Sequence, residues 1–369
     1  MTDNILILGG SGRIGSHVAQ DLAQYFPQAQ ITVTGRNYQF QPASDRVQFL
    51  CYDLADRDRL KSIVFHYNLV IHCAGPFLYR DAFVLKTCIE AGVDYLDVSD
   101  SPKFVKEALT YRSQAEGAGV TAILSSGIFP GISNSMVRQG MEQLDRVDRI
   151  HLSYVVSGSG GAGITVMRTT FLGLQQPFAA WIEEEWRSVQ PYSQRELVEF
   201  PAPYGKQGVY WFDVPETATL PLSFPCKTVV TKFGSVPDFY NHLTWAVARF
   251  FPSSWLANQA TIEFLSKVSY QMTQVTDRFT GIGVAMRAKV EGKKAGEAAS
   301  VCLTFGHKNT AIAAGAGTGS IAQFLRSGVL KKPGVWSVEE ALPTSLFQQA
   351  LHLRGLEVQI ISDRRFSVG

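Results

Sequence analysis

The chain lacks the features that mark several large protein classes. No stretch reaches the ~18 uninterrupted apolar residues that a membrane-spanning helix needs. There is no C-x-x-C pair, and the five cysteines (Cys51, Cys73, Cys88, Cys226 and Cys302) are widely spaced. Neither a disulfide framework nor a metal site is expected from them, and buried free thiols are. Net charge is also scarce. The 34 basic and 32 acidic side chains leave a formal +2, too little to steer a polyanion, so no nucleic-acid partner is expected. A strand-like run begins within three residues of the first Met. That leaves no room for a leader peptide ahead of it, and the cytoplasm is the expected compartment.

What is present is length and apolar material. The 369 residues with 46% hydrophobic content suit two domains. From residue 4 to 125, short apolar runs alternate with helical periodicity. The runs are Ile5–Leu8, Ile31–Thr34, Val47–Cys51, Leu69–Cys73, Tyr95–Val98 and Thr121–Leu124. Continuous apolar runs are what strands buried on both faces of a parallel sheet look like. Six of them joined by helices predict an α/β fold, an N-terminal Rossmann doubly wound parallel sheet. After Pro130-Gly131 the pattern changes to longer, alternating strands. They include a hairpin around Gly292–Gly296, read as a five-residue loop, and helices over Val166–Phe178, Phe239–Phe250 and Leu256–Met272. This predicts a second α+β domain with a mixed or antiparallel sheet. The Pro- and Gly-rich stretch 201–237 reads as loop. Ser337 with Glu340 and Ser345 with Gln348 have capping-box spacing. The expected division is 1–130, completed by 315–369, with 131–314 as the substrate and dimerisation domain.

The first strand runs into Gly9-Gly10-Ser11-Gly12-Arg13-Ile14-Gly15. G-x-G-x-x-G is a weak signal alone. Directly after a buried strand and opening an amphipathic helix, it is a strong one for a dinucleotide. Gly10 allows the turn, Gly12 lets a pyrophosphate approach the backbone, and Gly15 lets helix and strand pack closely. The phosphates then meet the free N–H groups of the helix N-terminus. The second strand ends in Gly35-Arg36-Asn37, where an NAD site usually places an acid on the ribose 2′-hydroxyl. A glycine followed by an arginine suits a 2′-phosphate, so NADP is the expected cofactor. Ser11 and Arg13 are candidate additional donors to that phosphate. Asp53-Leu54 follows the third strand, where adenine contacts occur, although an Asp there can equally be a loop or N-cap residue. Ala74-Gly75-Pro76-Phe77 follows the fourth strand, beside the expected nicotinamide ribose, with Phe77 and Tyr79 at the mouth of the crevice.

Together these residues resemble the saccharopine dehydrogenase-like family, in its NADP-binding branch. The resemblance rests on the glycine loop, Gly35-Arg36, Cys73–Phe77, and Asp94-Tyr95-Leu96-Asp97-Val98-Ser99. It extends to Gly127-Ile128-Phe129-Pro130-Gly131, Gly317-Thr318-Gly319 and the stretch from Gly334 to Leu356. It is good over 4–135 and 311–361 and thin between them. The resemblance implies hydride transfer with NADP, and a C-terminal segment that packs on the Rossmann domain. One departure bears on substrate. Saccharopine reductases carry an Asp immediately before the Pro-Gly hinge, and Phe129 stands there in this chain. An apolar side chain can neither bind an ammonium nor move a proton, so saccharopine is not the expected substrate. The family also includes enoyl reductases acting on lipids.

For proton transfer, the candidates near the fourth and fifth strand ends are Tyr79, Asp97, Ser99 and Asp100. Ser99 or Asp100 serves equally as an N-cap, Tyr79 as a packing residue, and His72 as a core histidine. Phe129 at the hinge, and Tyr154 and Arg168 in the second domain, are substrate-binding candidates, with a structural ion pair the plainer reading of Arg168. The loop Ser157–Gly163 fits a lid, an anion cradle or a linker. The aromatic segment Trp245–Leu256 fits core or a dimer face first, and an apolar pocket or peripheral membrane contact second. No Tyr-x-x-x-Lys pair and no metal constellation is legible. The residues support an NADP(H)-dependent oxidoreductase acting on a C=O, C=N or activated C=C of a small molecule, as a homodimer. A non-catalytic NADP(H)-binding sensor or a lipid-linked enoyl reductase are the alternatives.

Overall fold

The computed structural model describes residues 3–36, 44–159 and 163–363. The chain divides into two compact units, Met1–Ile132 with Ala311–Ala350, and Ser133–Thr310 with Leu351–Gly369.

Unit 1 is built on six strands: β1 (Asp3–Leu8), β2 (Ala29–Gly35), β3 (Val47–Cys51), β4 (Leu69–His72), β5 (Asp94–Asp97) and β6 (Thr121–Leu124). A seventh, Gly334–Ser337, pairs with β6. The sheet order is Gly334–Ser337, β6, β5, β4, β1, β2, β3, and every pairing is parallel. This is the doubly wound arrangement the apolar runs predict. Ile5, Leu6, Ile7 and Leu8 are all fully buried, as a strand covered on both faces requires. Burying each such side chain contributes about 2 kcal/mol. Chain order reverses between β1 and β4, which opens the ligand crevice at their carboxyl ends.

Helix α1 (Arg13–Tyr25) follows β1 and buries Val18, Ala19 and Leu22. Helix Thr310–Arg326 returns the chain to unit 1. Its Gly315 and Gly319 face α1 so closely that a Cβ would come within 2.8 Å of the His17 carbonyl carbon and 2.1 Å of an Asp21 carboxylate oxygen. At its end, Arg326 bridges Asp3 at 2.8 Å and Asp94 at 3.2 Å. Ser337 and Glu340 form the expected capping box. The helix Thr344–Leu353 takes in Ser345 within its first turn.

Unit 2 holds a seven-stranded mixed sheet. Its order is Glu196–Phe200, Gly205–Trp211, Thr228–Val236, Arg146–Ser157, Gly283–Lys294, Glu297–His307, Val358–Asp363. Thr228–Val236 runs parallel to Arg146–Ser157 and the other pairings are antiparallel. Four sequence expectations are corrected here. The hairpin loop is two residues, not five: Lys294 pairs with Glu297, and Ala295 and Gly296 carry positive φ. The stretch 201–237 is not loop but holds two strands and the helix Pro215–Ser223. The helix expected over Val166–Phe178 spans Ile164–Leu172, and Phe178 opens a strand. Finally, Val358–Asp363 does not join the Rossmann sheet. It pairs with Glu297–His307, with Ile361 opposite Cys302.

Candidate functional site

The glycine loop sits where the topology places a dinucleotide. Gly9 donates to the Thr34 hydroxyl at 3.0 Å, and Ser11 N–H donates to the Thr34 carbonyl at 3.1 Å. Both bonds pin the loop to β2, and sequence reasoning passes over Thr34 because a strand threonine carries no signal. A Cβ on Gly15 would stand 2.5 Å from the Gly9 carbonyl oxygen, so only glycine lets α1 start this close to β1. Gly12 caps α1 without a side chain, and the first turn holds no acid. The helix N-terminus therefore presents its positive end with no side-chain cap of its own, which fits an anion.

The end of β2 is equally specific. A Cβ on Gly35 would fall 2.1 Å from Ser11 Oγ and 2.8 Å from its Cβ. The glycine at the usual acid position thus makes room for Ser11. Arg36 beside it is exposed, with its carbonyl accepting from Cys51 Sγ at 3.6 Å. A hydroxyl and a guanidinium therefore lie at the strand end, with no carboxylate at Gly35 to repel a phosphate. Asn37 lies outside the described residues.

Around the other crossings the expectations divide. Asp53 closes a turn onto Ala55 N–H at 3.0 Å, and Leu54 packs on the core. A Cβ on Gly75 would meet nothing of the protein nearer than 3.6 Å. Packing alone does not demand glycine there, which suits approach by a ligand. Phe77 is a correction. It is 3% exposed and packs against His72 at 4.8 Å and Phe104 at 5.1 Å, because a short helical turn swings its ring inward. Tyr79, two residues on, is exposed.

Asp97 ends β5 fully buried. Its Oδ1 accepts from Ser125 N–H at 2.7 Å and Ser99 N–H at 3.0 Å. Its carbonyl accepts from both the N–H and the hydroxyl of Ser126 at 2.7 Å. The Ser126 hydroxyl also meets Thr318 at 3.2 Å. One aspartate thus ties together the loops after β5 and β6, and through Ser126 the helix Thr310–Arg326. Burial pushes its pKa up to about 6, against the opposing pull of two N–H groups and the Tyr95 hydroxyl. Ser99 is buried and accepts from Ser101 N–H. The N-cap of the next helix is Ser101, not Ser99 or Asp100. His72 is a core residue: its Nδ1 meets the Tyr95 hydroxyl at 3.2 Å, and burial lowers its pKa to about 3. Ser125, with φ +62 and a buried hydroxyl without a hydrogen-bond partner among the described residues, was missed from sequence.

Among the substrate candidates, Phe129 is half-buried and precedes Pro130 in unit 1. Tyr154 lies on a unit 2 strand, its ring 4.8 Å from Phe233. Arg168 takes the structural ion pair that was its plainer reading. Glu263 holds it in a two-bond fork at 2.6 and 2.7 Å, which joins helix Ile164–Leu172 to helix Gln259–Thr280. His151 is mostly buried beside Glu196 at 3.4 Å. Gly160 to Ala162 of the glycine-rich loop lie outside the described residues. Among the described residues no helix is long and apolar enough to cross a membrane.

The strand order and the glycine loop define a dinucleotide-binding Rossmann fold, and the comparisons make it that of an NADP-binding oxidoreductase. Residues 5–123 match the family described as saccharopine dehydrogenase NADP binding domain, and the chain is similar to saccharopine dehydrogenase-like oxidoreductases. Carboxynorspermidine synthase of Vibrio cholerae is 25% identical over 309 residues, 75% of this chain and 73% of that one. Carboxyaminopropylagmatine dehydrogenase of Synechocystis is 25% identical over 146 residues, 36% of each chain. Among solved structures, saccharopine dehydrogenase (L-Glu forming) of Saccharomyces cerevisiae superposes with a TM-score of 0.71. At 14% identity over 98% of this chain and 100% of that one, it shares the fold.

Proposed function

We propose that this protein is an NADPH-dependent reductase of a small metabolite, acting on a C=N bond in preference to C=O or activated C=C. The observation that carries the cofactor half is Ser11 seated over Gly35 beside Arg36. The loop from Gly10 to Gly15 would hold the pyrophosphate, with Ser11, Arg13, Arg36 and Asn37 around the 2′-phosphate. Asp53 and Leu54 would lie toward the adenine and Ala74 to Pro76 toward the nicotinamide ribose. When bound, NADPH supplies the hydride. The chain's own task is to orient the acceptor, exclude water and provide a proton. Carboxynorspermidine and carboxyaminopropylagmatine, named in the two relatives, are carboxylated amines, the kind of product that C=N reduction gives. Phe129 in place of the hinge aspartate argues against saccharopine itself.

For the proton, Asp97 fits best among Tyr79, Asp97 and Ser99. A carboxyl with a pKa of about 6 holds or releases a proton near neutrality, and its bonds to Ser99 and Ser125 fix its position. Exposed Tyr79 would then serve at the mouth of the site. A homodimer built through the second unit and a cytoplasmic setting belong to the same proposal, with sedimentation velocity the check on the first.

The test is NADPH oxidation across paired aldehydes and amines, run against α,β-unsaturated thioesters. Turnover with an aldehyde–amine pair is expected. Turnover with the thioesters alone would replace this reading with enoyl reduction. Tight NADPH binding with no turnover of either would leave a cofactor-binding sensor.

A further inference from the structure

Unit 2 carries a half-open cleft of about 510 Å³, a size typical of metabolite sites, lined by part of the aromatic segment Trp245–Leu256 and apart from the cofactor-site residues named above. One wall is the segment 190–194. Tyr192 and Gln194 both hold positive φ, +56 and +49. Side chains other than glycine tolerate that region poorly, and it persists where surroundings over-determine it, commonly at ligand sites.

The surroundings do so here. Tyr192 N–H donates to the Trp211 carbonyl at 2.7 Å, and Trp211 N–H donates to the Ser193 carbonyl at 3.1 Å. The Trp211 indole donates to Gln194 Oε1 at 2.9 Å, and buried Lys232 donates to the Gln194 carbonyl at 2.5 Å. The Tyr192 hydroxyl donates to Asn241 at 2.7 Å, and its ring stacks on Tyr210 at 4.5 Å. A wall held this firmly is pre-organised.

The lining chemistry selects a ligand class. Trp245, Phe251 and Leu256 give the cavity an apolar side, and Trp245 remains 42% exposed. Gln176 and Gln190 line it with side-chain amides that make no hydrogen bond among the described residues. Arg249 is the one ionised side chain among the lining residues, and it forms no ion pair among the described residues. No carboxylate offsets it. A site with one unpaired guanidinium, spare amides and an aromatic side recognises an anion carried on an apolar body.

We propose that this cavity binds a small organic acid, one carboxylate on a flat or branched apolar body. The carboxylate meets Arg249 and the amides, and the body packs on Trp245, Phe251 and Leu256. The site needs no hydride chemistry and stands apart from the reading of unit 1.

The test titrates full-length protein with 3-phenylpropionate and with its neutral amide, 3-phenylpropionamide. Binding is followed by calorimetry and by the indole N–H resonance of Trp245, assigned through Trp245→Phe. The acid is expected to bind about tenfold more tightly than the amide, the scale of a charge-assisted pair, and to shift the Trp245 resonance. Arg249→Gln should abolish that preference at unchanged Tm. Equal binding of acid and amide, an acid preference that survives Arg249→Gln, or no binding of either by about 5 mM would each overturn the proposal.

Discussion

The two units bury their strands differently, and this decides how much each discloses. In unit 1, β4 and β6 are buried at every position. Helices cover both faces, so the strands appear as unbroken apolar runs, and topology then fixes what lies at each strand end. In unit 2, Glu196–Phe200 alternates between exposed and buried residues, and strands far apart in sequence pair. The ends of such strands point to no common crevice, so the chemistry is not indexed by position. The dinucleotide-binding fold of unit 1 is a topological consequence, whereas the sheet of unit 2 is assembled from pairings that its sequence does not index by position.

Perturbing the two units separately sharpens this contrast. The largest effect is expected from Gly15→Val. Its side chain cannot fit 2.5 Å from the Gly9 carbonyl, so NADPH affinity should fall by at least about a hundredfold, with a Tm loss from overpacking; fluorescence titration and calorimetry measure both. A Gly15→Val protein with normal NADPH affinity would remove the phosphate loop from the site. Next, Arg36→Ala should cut NADPH affinity about tenfold or more and leave NADH affinity unchanged, the loss expected for a charge-assisted phosphate contact. A retained NADPH preference would shift the 2′-phosphate assignment to Ser11 and Arg13.

Asp97 gives a pH signature. Its folded pKa, about 6, lies above the unfolded 3.8. The fold therefore favours the protonated form, and its contribution is full below pH 3.8 and is lost as pH rises through 6. The span is on the order of 3 kcal/mol. Denaturant unfolding from pH 4 to 7 should show this loss in the wild type and a flatter profile in Asp97→Asn. Parallel profiles would mean that Asp97 does not titrate in this window. The smallest effect belongs to unit 2. Arg168→Met breaks the partly exposed fork to Glu263 and should cost about 1 kcal/mol, with NADPH affinity unchanged. A change in NADPH affinity instead would link Arg168 to the cofactor site and break the contrast.

The sheet of unit 1 and the glycine loop were legible because each depends on neighbours close in sequence. Ser126 and Thr318 were not, since their bond spans 192 positions and joins two ordinary hydroxyl residues. Phe77 was placed at the crevice because the strand end points there, but the turn after Pro76 sends its ring into the core. Polar Lys293 and Lys294 read as loop, yet exposed strand ends can be charged and still pair. The wall at 190–194 left no trace, because a left-handed Tyr or Gln is set by its surroundings rather than by its own preference.

The seventh strand of the Rossmann sheet also has a consequence in time. During synthesis β6 emerges with one edge bare, and its partner, Gly334–Ser337, follows only after about two hundred further residues. At 5–20 residues per second the delay is on the order of 10–40 s. Throughout it the nascent chain carries an unpaired apolar edge of the kind that chaperones shield and that seeds aggregation. A ribosome stalled within the second unit would therefore hold a Rossmann sheet still missing its last strand.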